Sequence, residues 1–218
     1  MEKLTLPQLF AVWALPVLFA ITVHEAAHGW AAEKLGDDTA RLLGRVTLNP
    51  LKHIHWFGTI VLPVLLLFLT GIVFGWAKPV PINWNKLNHP RRDMALVALA
   101  GPLSNLLMII GWALCAKLGL FLMTKQFLWA KAIAYMGFAG ININLILLLL
   151  NLIPIPPLDG SRVLYSLLPP KISERFQGFE ITGLLILVLL LFSGILAPIV
   201  IGPSIYIRNL VLILFGIQ

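Results

Sequence analysis

His24, Glu25 and His28 stand together in the stretch HEAAH. On a helix, residues four apart lie one above the other, so the two imidazoles share a face and can share one ion. Zinc accepts imidazole nitrogen at about 2.0–2.1 Å. Glu25 lies about 100° around the helix from His24, where it does not ligate beside the histidines. Its carboxylate can instead take a proton from water next to the ion and later deliver it to a leaving amine. This is the H-E-x-x-H pattern of metalloproteases. In a soluble helix such a pattern often arises by chance. In a hydrocarbon-embedded helix two imidazoles and a carboxylate are costly, and ionisable groups there mark function.

A catalytic zinc needs a third protein ligand and one position left open for water. Acidic residues are few within the apolar tracts, and Asp159 stands out in NLIPIPPLDG at 151–160. Pro154, Pro156 and Pro157 release this segment from helix, so it can bend Asp159 toward another element. The same carboxylate could simply cap a helix starting at Ser161, and capping competes with ligation for the same oxygens.

These residues must be positioned inside a membrane. Of 218 residues, 59% are hydrophobic and only 11% charged, where a soluble domain carries roughly 25% charged. At about 20 residues per crossing, the apolar tracts accommodate an all-α, polytopic membrane bundle of about five full crossings. The whole chain, 1–218, is expected to form a single integral membrane domain. The net charge of +7 comes from sixteen Lys and Arg spread singly along loops. No basic run carries interleaved aromatics, so no nucleic-acid partner is expected. The single Cys115 excludes an intramolecular disulfide. The apolar N-terminal segment reads as a retained helix, since His24, Glu25 and His28 stand where a signal peptide would carry a small-residue cleavage site.

Along the chain, helices are expected at 8–35, 93–120, 128–152, 179–197 and 199–217, with a short amphipathic one at 161–168. Alternation of Arg45, Thr47 and Asn49 with Val46 and Leu48 predicts a short membrane-associated strand, and KPVPIN at 78–83 an extended segment. Asn142 and Asn144 either line a polar path or bond helices together, and the second reading is preferred. His53, His55 and His89 fall in loops, where imidazoles are usually solvated.

HEAAH in a membrane helix, followed by NLIPIPPLDG, resembles the site-2 protease family of intramembrane zinc metalloproteases. AGPLSN (100–105), GRVTLNP (44–50) and FGWAKPVPIN (74–83) are similar to its compact prokaryotic branch without a PDZ domain. The resemblance implies one zinc ion held by His24, His28 and Asp159, with Glu25 as general base. It also matches Asn151 to an asparagine whose amide can hold the substrate carbonyl or its oxyanion, although helix–helix bonding would also explain an amide there. Relatives often carry HIDP where this chain has His53, Ile54, His55 and Trp56, so no role is carried over to position 55. Implied substrates are transmembrane segments of single-pass proteins cut in regulated intramembrane proteolysis.

For the ligands to meet at one depth, the helices bearing HEAAH and NLIPIP must run parallel, so one of the two tracts between them cannot cross. The tract 58–76, broken by Gly58, Pro63, Gly71 and Gly75, is the candidate for a re-entrant segment. If it turns back, one side of the membrane carries eleven Lys and Arg and the other four; if it crosses, the split is eight to seven. The positive-inside rule favours the first, with the site toward the cytoplasmic face of the cell membrane. The rival function is a membrane metal transporter or metal-binding module. A transit path should offer ligands at several depths, and it gives Glu25 no purpose.

Overall fold

The computed structural model describes residues 5–70, 75–169, 171–173 and 178–217. Expectations that touch residues 71–74, Pro170 or Arg175 lie outside that set. Helix α1 runs Leu6–Lys34, α2 Thr39–Leu42, α3 Leu62–Thr70, α4 Pro90–Thr124, α5 Ala130–Asn151 and α6 Asp159–Leu167. Two more follow, α7 at Glu180–Phe192 and α8 at Leu196–Leu214. Prolines mark the starts of α1 and α4, where a missing N–H is no loss.

Among the described residues four helices, α1, α4, α5 and α8, are long and apolar enough to cross a membrane. The fifth crossing expected at 179–197 is represented by α7, whose 13 residues rise only about 20 Å against a hydrocarbon core of roughly 30 Å. Helices α4 and α5 pack closely through small residues, with Gly119 against Ala134 and Gly137 against Ala116. Ile109, Ile141 and Leu145 fill the core beside them, and α8 lays Ile207 and Val211 on that cluster.

The tract expected to turn back begins as a π-helix at Trp56–Val61 and continues as α3. Its two ends meet. The Trp76 amide donates to the Gly58 carbonyl at 3.0 Å, and the Thr59 hydroxyl donates to the Trp76 carbonyl at 2.8 Å.

Among the described residues no strand forms, which corrects the short membrane-associated strand expected within 41–50; the extended segment expected at 78–83 joins no ladder. Several backbone amides of 75–83 are taken by other partners. Trp76 donates to Gly58, Lys78 to the His53 carbonyl and Asn83 to Asp37, while Pro79 and Pro81 have no N–H to give. At 39–52, a turn of helix and a short 3-10 helix replace the alternating pattern. His53 is a second correction: it is 1% exposed rather than solvated, and its Nε2 meets the Thr47 carbonyl at 2.9 Å.

Candidate metal centre

Helix α1 brings His24 and His28 to one buried face, as their spacing requires. The Nε2 atoms of the two rings lie 3.1 Å apart. Asp159, the first residue of α6, closes the triangle, with Oδ2 at 3.2 Å from His24 Nε2 and Oδ1 at 3.3 Å from His28 Nε2. The capping alternative is resolved against. Leu158 occupies the N-cap position and no side chain caps α6, so the Asp159 oxygens face the imidazoles.

Local geometry explains how Asp159 arrives there. The polypeptide leaves α5 at Asn151, passes through Pro154, Pro156 and Pro157, and folds back. Gly160 then sits against the Leu152 and Ile153 carbonyls, where a side chain has no room. On the other wall, Gly101 of α4 faces both imidazoles so closely that a methyl group would overlap His28 Nε2.

The outward nitrogens are also held. His28 Nδ1 meets the Val97 carbonyl at 2.7 Å, and because a carbonyl only accepts, Nδ1 carries the proton. His24 Nδ1 meets Asn105 Oδ1 at 2.7 Å. The Asn105 amide donates in turn to Asn144 Oδ1 at 2.8 Å, and Asn144 donates to the Gly140 carbonyl at 2.8 Å. This chain of amides has a consistent direction, and it leaves both Nε2 atoms as lone-pair donors to a metal. Helix–helix bonding, the preferred reading of Asn144, is thus what its side chain does, and the network ends on His24.

The donor set fits zinc. A tetrahedral ion with bonds of about 2.0–2.1 Å separates its ligands by roughly 3.3 Å; here the two Nε2 atoms lie 3.1 Å apart and each has its own Asp159 oxygen at 3.2 or 3.3 Å. Asp159 Oδ2 is buried without a hydrogen bond, the kind of oxygen a cation satisfies. Among the described residues these three form the one group of His, Cys, Asp or Glu able to hold a metal.

Glu25 stands apart from the triangle, as the 100° offset requires. Its Oε2 accepts the Val80 amide proton at 2.8 Å, so the segment 75–83 lies against it. Asn151 is half-buried at the end of α5, and among the described residues its side chain makes no hydrogen bond. Sequence reasoning singled out neither Asn105 nor Arg45 as a functional residue. An amide in a membrane helix was a usable signal for Asn105; nothing local marked Arg45.

Outside the membrane-spanning helices, Asp37 fixes the loop that follows α1. Burial works against its charge, but the Thr39 hydroxyl, the Asn83 and Thr39 amides and Lys86 together hold its carboxyl below the ordinary value. The Asn83 amide donates to Asp37 at 2.6 Å, which ties the end of segment 75–83 to the end of α1.

Comparison with known proteins agrees with this geometry. The model of peptidase family M50 matches residues 114–193. A Bacillus subtilis (strain 168) protein, YwhC, named as a candidate zinc metalloprotease, is 38% identical over 190 residues, covering 87% of this chain and 83% of its own. A Mycolicibacterium smegmatis protein, Rip2, similarly named, is 35% identical over 184 residues, covering 81% of this chain and 64% of its own. Rip2 of Mycobacterium tuberculosis (strain H37Rv) is 32% identical over 175 residues, 79% of this chain and 64% of its own. No solved structure matches.

Proposed function

From the premise that the chain belongs to the site-2 protease family, peptidase family M50, and is an intramembrane zinc metalloprotease, we propose that it cuts transmembrane segments of single-pass proteins in regulated intramembrane proteolysis. The observation that carries this reading is the His24–His28–Asp159 triangle joining membrane helix α1 to the short α6, with a carboxylate next to His24 on α1.

In this reading His24, His28 and Asp159 hold the zinc. The ion supplies a Lewis acid for the scissile carbonyl and lowers the pKa of adjacent water. Glu25 takes the proton of the attacking water and returns it to the leaving amine as the C–N bond breaks. Asn105 and Val97 keep each imidazole in the tautomer that presents Nε2. Asn151, with its amide free of protein partners among the described residues, hydrogen-bonds the substrate carbonyl as negative charge grows there.

The substrate must unwind before its peptide bonds are accessible. We place the unwound strand beside Val46, Thr47 and Leu48, whose amides make no hydrogen bond among the described residues. These residues border an apolar cavity of about 580 Å³ between α1 and α4. Pairing along 75–83 is less favoured, because the amides of Trp76, Lys78, Val80 and Asn83 already have partners.

For topology we propose four crossings and two segments that do not cross, all within one integral domain. The meeting of Gly58 with Trp76 supports a re-entrant α3. Leu187 and Leu196 pack in one cluster with Leu158, which supports an α7 that begins and ends near the site. The charge split then puts the site toward the cytoplasmic face of the cell membrane.

The test is cleavage of a panel of single-pass membrane proteins by the purified chain in lipid. Chelation should abolish cleavage and stoichiometric zinc restore it; cleavage indifferent to chelator would overturn the reading. The transporter alternative is not favoured, since among the described residues one metal-binding group is found where a path would need a series.

A further inference from the structure

We infer that Arg45 is a positioning residue for the general base, acting through the backbone of residues 78–80. The inference rests on the protease reading for its kinetic consequence, though not for its structural one.

Arg45 is 8% exposed, and its Nη2 bonds backbone rather than an acid, while its Nε has no hydrogen bond among the described residues. Nη2 donates to the Lys78 carbonyl at 2.8 Å and to the Pro79 carbonyl at 3.2 Å. The next amide along, that of Val80, donates to Glu25 Oε2 at 2.8 Å. Pro79 and Pro81 flank it, so Val80 carries the one N–H in this stretch, and that N–H is aimed at the carboxylate. Arg45 therefore grips the two carbonyls that immediately precede the donor. A planar guanidinium with two acceptors fixes direction as well as distance, which a lysine ammonium does less well.

The consequence is local and directional. One Glu25 oxygen is occupied by the Val80 amide, which sets the carboxylate's rotamer and leaves the other oxygen for water. Without Arg45, residues 78–80 keep only the Lys78 amide bond to the His53 carbonyl on that side. Val80 then drifts from Glu25 while His24, His28 and Asp159 stay in place, because none of their contacts passes through Arg45.

The experiment compares wild type, Arg45→Met, Arg45→Lys, Val80→Pro and the Arg45→Met/Val80→Pro double variant in the full chain. Zinc content and thermal midpoint are measured on each, so that a misfolded variant is recognised. Hydrogen exchange is followed on the segment between Pro79 and Pro81, which contains a single exchanging amide. Arg45→Met should speed exchange at Val80 about 10-fold or more, and Arg45→Lys by less. With a cleaved single-pass substrate, Arg45→Met should lower kcat about 10- to 100-fold with KM and zinc content unchanged. Val80→Pro should lower kcat similarly, and the double variant no further than Val80→Pro alone. Unchanged Val80 exchange in Arg45→Met overturns the inference. Additive kcat losses in the double variant overturn it too, as does a loss confined to zinc content or KM. If wild type cleaves nothing, the protease reading fails while the exchange arm still decides whether Arg45 holds Val80.

Discussion

Asn105 makes the sharpest demand at the scale of single residues. Its Oδ1 is the acceptor for His24 Nδ1, and Asn144 fixes which way the amide faces. Asn105→Leu should lower zinc affinity about 10- to 100-fold, measured by chelator competition. Asn105→Asp, which keeps an acceptor, should recover part of that loss. Equal affinity in Asn105→Leu would remove the amide from the account. Gly101 offers a steric counterpart. A methyl group there overlaps both metal-facing rings, so Gly101→Ala should weaken zinc binding at least about 10-fold although alanine favours helix. Unaltered binding would mean that α4 yields more easily than its packing suggests. The triangle itself was legible in the sequence because HEAAH forces two imidazoles onto one helical face. Asp159 was half-legible: the residues allowed a cap or a ligand, and only the returning loop decides. Arg45 was not legible, since its partners are backbone carbonyls 33 and 34 positions away and leave no trace in side-chain pattern.

Among the elements, the short strand expected within 41–50 differs most from expectation, and the reason is general. Alternating side chains predict a strand only if backbone partners are available. The neighbouring segment 75–83 offers no ladder: Pro79 and Pro81 withdraw two donors, and the Trp76, Lys78, Val80 and Asn83 amides go to Gly58, His53, Glu25 and Asp37. Asp37 anchors the far end, which gives a pH dependence of definite sign. Its folded carboxyl is held below the ordinary carboxylate value. The stability it contributes is therefore present above the unfolded pKa of about 3.9 and is lost as pH falls through that value toward the depressed folded one. Asp37→Asn should cost about 1–3 kcal/mol near neutral pH, the scale of a charge-assisted hydrogen bond. Thermal midpoints of the two proteins should converge as pH falls below about 4. A constant difference across that range would show that the carboxylate's charge contributes nothing there. The long helices followed the sequence closely because twenty or more apolar residues leave few alternatives in lipid. The short α7 did not, since hydropathy counts apolar residues and is blind to the break at Ser193 and Gly194.

At the scale of the molecule, the account requires that HEAAH and Asp159 reach the same depth from parallel helices. The closure of Gly58 on Trp76 and the eleven-to-four division of Lys and Arg support this from independent directions. A cysteine introduced at Lys86 should react only with reagents that reach the cytoplasmic side, and one at Gln126 only from outside. Labelling of position 86 from outside would break the re-entrant arrangement and separate the ligands by a membrane.

The central claim is that Glu25 moves the proton for a zinc held by its neighbours. Its most direct test is cleavage of single-pass membrane substrates by wild type and by Glu25→Gln at matched zinc content. The account predicts cleavage by wild type, loss of at least about a thousand-fold in Glu25→Gln and full zinc retention in both. Equal cleavage by the two proteins would contradict it and remove Glu25 from the mechanism.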